Sequence, residues 1–402
     1  MSRRSSFGYS SYGTRSYGSG GYNGGQGRSS KIKKAVIAAA CVAFAGIAVG
    51  VVCAVVAGSR SARTAEGSIE EQSVQSSAEV SEAKQSSVQE SPAEELSKEK
   101  DVEGYYDGNV FMYDGSGYEL FYGTKSAAKN YAAVVSNIKK ALGNGVRVYN
   151  MVAPGHASVG LPEKYLKEMN DEKEFIDTVY SSYSDEVIPI AVYDAEIKHK
   201  GEYTYFRSDI NWTALGAYYA YQQFCAKAGL EAVSLDGLSK GNITGFNGML
   251  FAATQTVEDP EGNKELAAMP DTVVYYNMPC IQSCYLLENG DTEEKEVPLI
   301  ATFAEGRYAY SAFVWGDNPY MRVKTDNKTG RKLCLIKDTY GSALAPFLTA
   351  NYDEIFIVDP AYYSGNIIEY IQKNKYTDVL VVNSAKNAGI QNRADDIMSI
   401  IK

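Results

Sequence analysis

The fold is decided by three short apolar stretches in the last third of the chain: RKLCLIKD at residues 331–338, EIFIVD at 354–359 and DVLVVN at 378–383. Each stretch is short and rich in β-branched residues, which is typical of strands buried on both faces of a parallel sheet. Segments with helical spacing, 342–350 and 365–375, separate them. This order predicts a β-α-β-α-β unit with right-handed crossovers.

A fourth strand of the same kind is predicted upstream. The stretch VRVYNMVAP at residues 146–154 follows an amphipathic segment at 126–142. Together the four strands predict an α/β domain of the flavodoxin-like, doubly wound type with a mainly parallel sheet, whose site lies at the carboxyl ends of the strands. Residues 257–313 contain shorter, polar-interrupted strands such as TVVYYN and SCYLLEN, which predict a small antiparallel insertion beside that sheet.

The first hundred residues have a different composition. Residues 1–34 are rich in Gly, Ser and Tyr and carry seven basic residues and no acidic one, which predicts a disordered basic tail. Residues 35–58 form 24 positions without a charge, enough for one transmembrane helix. Residues 59–103 contain eleven acidic residues and no aromatic one, as expected of a disordered stalk. The folded domain is therefore predicted at 104–402.

Basic residues before the apolar run and acidic ones after it predict the topology. By the positive-inside rule the N-terminus is cytoplasmic and the domain at 104–402 is extracytoplasmic, anchored in the cell membrane by a single span. A cleaved signal peptide is the alternative, although the apolar run exceeds the usual length of its hydrophobic region.

Charge and histidine content exclude several functions. The net charge of -10 argues against nucleic acid as a partner, and two histidines in the whole chain exclude multi-histidine zinc sites. Phosphate-binding and dinucleotide-binding glycine motifs are absent from the sequence, so no cofactor is predicted.

Two segments carry the residues that fit chemistry. In YFRSDINWTALGAYYAYQQF (205–224), Asp209, Asn211 and Trp212 precede a predicted helix. In KLCLIKDTYGSALAPFL (332–348), Asp338 and Thr339 stand where a strand turns into a helix. Such a turn presents a side chain at the top of the sheet, beside helix N-terminal amides that can stabilise an oxyanion.

These segments, in this order, resemble the DHHW family of bacterial extracytoplasmic proteins, which is related to the alginate O-acetyltransferase-like branch of the SGNH hydrolases. The resemblance covers most of residues 104–402. Besides the two segments it includes FVWGDNP at 313–319 and YDEIFIVDPAYY at 352–363. It implies an SGNH-like fold and an ancestral O-acyl transfer or ester hydrolysis activity.

The resemblance also implies a catalytic Asp, a His two residues later and a Ser in the strand-to-helix turn. Carried over by position, these are Asp209, Asn211 and Thr339, so two of the three are changed. Asn cannot take up and return a proton at neutral pH, and Thr is a more hindered nucleophile that still needs a base. Ser342 is an alternative nucleophile, and His156, after a strand in APGHAS, is the better candidate for a substitute base.

Other residues have a functional and a structural interpretation. The resemblance makes Trp212, Asp317, Asn318 and Asp338 candidate substrate or oxyanion contacts. Alternatively, Asp209 and Asn211 cap a helix, Trp212 belongs to the core, Asp317 and Asn318 form a turn, and Asp338 starts a helix. His199, between lysines, is interpreted as an exposed turn residue.

Four cysteines follow the predicted span. Cys225 and Cys334 lie on apolar faces, as buried thiols do. Cys280 and Cys284 could form a disulfide only across a turn, because one strand would hold them too far apart.

Three functional hypotheses follow. The first is a membrane-anchored SGNH-like domain that has lost its catalytic pair and binds a cell-envelope glycan or an envelope protein. The alternative is an active O-acetyltransferase or carbohydrate esterase that uses Thr339 or Ser342, with His156 as base and Asp209 in support. The third is a structural envelope protein whose stalk and tail carry the function.

Overall fold

The computed structural model describes residues 102–184 and 186–401. The strands are β1 Tyr105–Asp107, β2 Val110–Tyr113, β3 Ser116–Tyr118, β4 Arg147–Ala153, β5 Val187–Ile190, β6 Lys240–Phe246, β7 Asp271–Tyr276, β8 Ile281–Leu287, β9 Lys295–Glu296, β10 Tyr320–Thr325, β11 Lys332–Lys337, β12 Glu354–Val358 and β13 Asp378–Ser384. The α-helices are α1 Lys125–Leu142, α2 His156–Gly160, α3 Glu163–Leu166, α4 Glu172–Ser181, α5 Tyr193–Lys198, α6 Ala214–Ala228, α7 Met249–Thr254, α8 Lys264–Ala268, α9 Thr339–Leu348, α10 Ile367–Lys373, α11 Ala385–Ala388 and α12 Gln391–Ile400.

An eight-stranded mixed sheet organises the domain in the order β5-β4-β13-β11-β12-β10-β8-β9. The four predicted strands, β4, β11, β12 and β13, are present, and they pair in parallel together with β5. The other part of the sheet is antiparallel, because β10 runs against both β12 and β8. The α/β prediction is confirmed, and the carboxyl ends of the parallel strands meet at one edge.

The prediction of one antiparallel insertion at 257–313 is wrong in part. SCYLLEN lies in β8, which joins the main sheet through β10. TVVYYN lies in β7, which pairs with β6 in a separate two-stranded sheet. Alternating side chains identify a half-buried strand but not its partner, so only the tertiary structure separates these two strands.

Helices cover both faces of the parallel part, as predicted for a doubly wound sheet. Leu333 and Leu335 of β11 pack into a core that includes residues of α6 and α9. Cys334 and Ile336, which point to the other face, pack with residues of α1, α4, α10 and α12. Burial on both faces explains the continuous apolar run in β11.

The predicted tail, membrane span and stalk lie outside the described residues, apart from the last two stalk positions. Within the described part of the chain, no helix combines the length and apolarity that crossing a membrane requires.

The four cysteines after residue 100 are free thiols. Cys225 and Cys334 are buried, as predicted. Cys284 lies within β8 and Cys280 immediately before it, so no turn brings their sulfur atoms together.

Candidate functional site

The turn between β11 and α9 is fixed by Asp338. Its Oδ1 accepts a hydrogen bond from the backbone N–H of Tyr340 at 3.0 Å, so Asp338 is the N-cap of α9. Its Oδ2 accepts from the backbone N–H and the hydroxyl of Ser384 and from Nδ2 of Asn387. With both oxygens engaged, Asp338 ties the turn to the end of β13 and is not available as a substrate contact.

The helix after this turn begins at Thr339, three residues earlier than predicted. Thr339 is half-buried, whereas Ser342, in the first turn of α9, is only 1% exposed. Of the two candidate nucleophiles, Thr339 is therefore the one that solvent reaches. The hydroxyl of Tyr310 donates to the Thr339 carbonyl oxygen at 3.1 Å and so holds the start of the helix.

Asp209 and Asn211 form a buried pair beside this turn. Asp209 Oδ1 accepts from the backbone N–H of Asn211 at 3.0 Å and from its Nδ2 at 2.7 Å, and Oδ2 accepts from the N–H of Met249 at 2.8 Å. Burial raises the pKa of Asp209, against the opposing effect of these hydrogen bonds. The amide of Asn211 thus donates to Asp209 as an imidazole N–H would in an Asp–His pair.

The interpretation of Asp209 and Asn211 as helix caps is wrong. Helix α6 is capped by Thr213, whose hydroxyl accepts from the backbone N–H groups of Leu215 and Gly216. The Asp209–Asn211 pair is therefore positioned by the helix without belonging to its cap.

Trp212 and Tyr340 connect the two segments. Nε1 of Trp212 donates to the Tyr340 carbonyl oxygen at 2.9 Å, and the Tyr340 hydroxyl donates to the Ile210 carbonyl oxygen at 2.6 Å. Trp212 is fully buried, so it positions the pair against the turn and does not contact a ligand in solvent. This corrects the expectation that it contacts substrate.

Sequence reasoning missed a third segment, Gly248 and its neighbours between β6 and α7. A Cβ atom on Gly248 would lie 2.3 Å from Asp209 Oδ2, so only glycine allows this approach. The backbone N–H of Gly248 also donates to the Ser208 hydroxyl at 3.0 Å. The local sequence FNG carries no signal for this role, because the contact depends on a partner about 40 residues away.

Asp317 and Asn318 each have hydrogen-bond partners within the protein. Asp317 accepts from Nζ of the buried Lys337 at 3.0 Å, and an ionised carboxylate has no hydrogen to donate to an oxyanion. Asn318 donates from Nδ2 to the Trp315 carbonyl oxygen at 2.8 Å and accepts on Oδ1 from the Asn289 N–H. Both residues shape the loop in which Val314 and Trp315 adopt positive φ angles of 48° and 65°.

Neither histidine joins the Asp209–Asn211 pair. The His156 ring stacks on Tyr205 with centroids 5.1 Å apart, and burial lowers the pKa of His156 to about 4. Among the described residues no hydrogen bond connects His156 to Asp209 or Thr339, so the structure does not support its role as substitute base. His199 is a turn residue, as predicted, but its side chain is half-buried, because it bonds Glu202 at 2.6 Å and stacks on Tyr219.

The fold and this turn define the class of protein: an α/β protein with a mixed sheet, in which a hydroxyl residue begins the helix after a central strand of the sheet. The chain belongs to the DHHW family, because the DHHW protein family matches residues 92–358.

Solved structures agree with this assignment. A DHHW family protein from Eubacterium siraeum is 31% identical to this chain, with a TM-score of 0.66. The match covers 74% of this chain and 97% of the Eubacterium siraeum chain. PatB1 of Bacillus cereus, solved with a sulfonyl adduct, is 16% identical with a TM-score of 0.55, over 71% of this chain and 97% of its own. The second likeness concerns the fold alone. No curated protein matches the sequence.

Proposed function

We propose that the domain is a catalytically degenerate SGNH-like domain that binds a cell-envelope glycan or an envelope protein. The observation that carries this proposal is the amide of Asn211 at the position of the general base. Its Nδ2 is committed to Asp209, and its carbonyl oxygen cannot hold a proton at neutral pH. Thr339 therefore stands at the nucleophile position without a base.

The retained architecture supports binding. Asp209 keeps three N–H donors, and Trp212 and Tyr340 keep the two segments together. Residues 35–58 support an extracytoplasmic location with a single membrane anchor, and the family match supports a role at the envelope.

Hydrolysis of an activated acetyl ester by the full-length chain tests the proposal. We expect the unmodified chain to be inert and the double variant Asn211→His, Thr339→Ser to gain at least about 100-fold in rate, the usual contribution of a positioned base. The matched control adds Asp209→Asn to the double variant and should lose most of that gain, because the imidazole is no longer oriented.

An active O-acetyltransferase or carbohydrate esterase is the second candidate. It is favoured by the half-buried Thr339 at the start of α9, where backbone N–H groups can stabilise an oxyanion. Hydrolysis by the unmodified chain that disappears in Thr339→Ala would establish this candidate and overturn the binding proposal.

A further inference from the structure

Two aromatic side chains form an exposed patch in the long connection between β9 and β10. Phe303 is 48% exposed, and the centroid of its ring lies 5.1 Å from that of Trp315, with 68° between the two ring planes. Trp315 is partly exposed, whereas the other tryptophan of the chain, Trp212, is fully buried. Solvent therefore reaches Phe303 and Trp315, which together are called the aromatic patch.

The backbone that carries Trp315 is strained. Val314 and Trp315 have positive φ angles of 48° and 65°, which residues other than glycine rarely adopt, and a β-branched valine least of all. Two hydrogen bonds hold Trp315 in this conformation. Its Nε1 donates to the Pro298 carbonyl oxygen at 2.7 Å, and its carbonyl oxygen accepts from Nδ2 of Asn318 at 2.8 Å. Such strain is concentrated at ligand sites, where it fixes a side chain before the ligand arrives.

The segment around this tryptophan packs against the turn between β11 and α9. On one side of the turn, Nζ of Lys337 donates to the Gly316 carbonyl oxygen at 3.4 Å. On the other side, the Tyr310 hydroxyl donates to the Thr339 carbonyl oxygen at 3.1 Å, and the Tyr310 ring contacts that of Phe313 with centroids 5.3 Å apart. The aromatic patch therefore belongs to the same edge of the sheet as the candidate site.

The surroundings of the aromatic patch favour a small, neutral ligand. Phe303 is the only exposed large apolar side chain among the described residues 270–361, so the patch is too small for a protein or membrane interface. The ammonium group of Lys295, which lies 5.9 Å from the centroid of the Trp315 ring, is paired with Glu288 and so does not select an anion. One pyranose ring has a suitable size, because the axial C–H groups on its face are apolar and its equatorial hydroxyls point to the rim.

We propose that Phe303 and Trp315 form a platform against which one pyranose ring of a neutral, β-linked glycan packs. Aromatic side chains bury a large apolar area in a defined orientation, and a gluco-configured ring, with its hydroxyl groups equatorial, presents a matching apolar face. The inference rests on the proposed function, and it narrows the ligand to a glycan that contains gluco-configured residues.

Iodide quenching of tryptophan fluorescence in the full-length chain tests the platform. Iodide reaches the indole of Trp315 alone, because Trp212 is fully buried. The probe is the β-1,4-linked tetramer of N-acetylglucosamine. We expect a saturating concentration of this tetramer to lower the quenching constant at least about twofold, since a stacked sugar ring excludes iodide from the indole. Sorbitol at the same mass concentration, which has hydroxyl groups but no ring, should leave the quenching constant unchanged.

Two variants locate the platform. Phe303→Ala and Trp315→Asn should each weaken binding of the tetramer, measured by calorimetry, by about tenfold. Phe303 is half exposed, so its replacement should leave the domain folded, and Asn is chosen at position 315 because it tolerates a positive φ angle. The matched control is Tyr122→Ala, which removes an aromatic side chain that is 61% exposed near the start of α1, and it should not change binding.

The outcomes separate the two proposals. Binding of the tetramer without protection of Trp315 from iodide, or with unchanged affinity in both variants, would overturn the platform and leave glycan binding standing. A tetramer that does not bind to the unmodified chain would also overturn the platform, and the ester assay would still decide whether the domain is catalytically degenerate.

Discussion

Two buried polar clusters of this domain differ in how fully they are paired. The first, the edge ion cluster, consists of Asp317, Lys337, Asp359 and Arg393 at the carboxyl ends of β11 and β12. Lys337 pairs with Asp317 at 3.0 Å, and Arg393 pairs with Asp359 at 3.0 Å. The second cluster consists of three buried oxygens that have no hydrogen-bond partner among the described residues: Asn211 Oδ1, Asn247 Oδ1 and Ser342 Oγ. Both clusters are buried, but only the first pairs its polar groups internally.

The difference separates charges that are neutralised within the fold from polar atoms that have no partner among the described residues. Arg393 also donates from Nε to Asn383 Oδ1 at 2.6 Å and from NH2 to the Lys337 carbonyl oxygen, so it joins the ends of three neighbouring strands. The second cluster makes no such connection among the described residues. Removing a charge from the first cluster should therefore cost more stability than removing one of these oxygens.

The largest expected effect is that of Arg393→Met. It leaves Asp359 buried with only Lys337, at 4.0 Å, as a charged partner. We expect a loss of about 3–5 kcal/mol in the free energy of unfolding, the usual result of removing one member of a buried ion pair. Urea denaturation measures it. Lys173→Met, which breaks an exposed pair with Asp177, is the control and should cost about 0–1 kcal/mol. Equal losses would contradict the role of the edge ion cluster in stability.

Gly248→Ala tests whether the Asp209 segment depends on close packing. Its Cβ would lie 2.3 Å from Asp209 Oδ2, so the segment must shift, and we expect up to about 3 kcal/mol of destabilisation. Gly145→Ala is the matched control, because a Cβ there meets nothing within 4 Å and should change stability by about 0.5 kcal/mol or less. If Gly248→Ala unfolds with the same free energy as the unmodified chain, the segment can shift without any loss of stability.

Buried titratable groups should make the free energy of unfolding depend on pH, with a smaller effect than the two substitutions above. Burial raises the pKa of Glu196 to about 8 and that of Glu172 to about 7. A carboxyl group with a raised pKa binds protons more tightly in the folded chain, so its stabilising contribution is lost as pH rises from 4.5 toward 8. Burial lowers the pKa of His156 from 6.5 to about 4, so its contribution is complete above pH 6.5 and is lost as pH falls through 4.

Above pH 6.5 only the carboxyl contributions change. We expect the free energy of unfolding to fall by about 2 kcal/mol between pH 6.5 and pH 8, mainly because Glu196 must ionise without a partner. Glu196→Gln should flatten this part of the profile in thermal or urea unfolding. Parallel profiles for the variant and the unmodified chain would assign the pH dependence to other groups.

Much of the fold was predictable because local patterns report it. The apolar runs of β4, β11, β12 and β13 identify strands buried on both faces, whereas the resemblance to the DHHW family pointed to residues 209, 211 and 339. The start of α9 was placed three residues late, since Asp338 and Thr339 were read as a turn before the helix.

The sequence by itself determined the parallel core and the family, because these depend on residue type and local order. Only the tertiary structure decided that β8 joins the main sheet, that Gly248 packs on Asp209 and that Lys337 is neutralised by Asp317. Each of these contacts joins segments far apart in the chain, and periodicity describes which face of an element is apolar without saying what covers it.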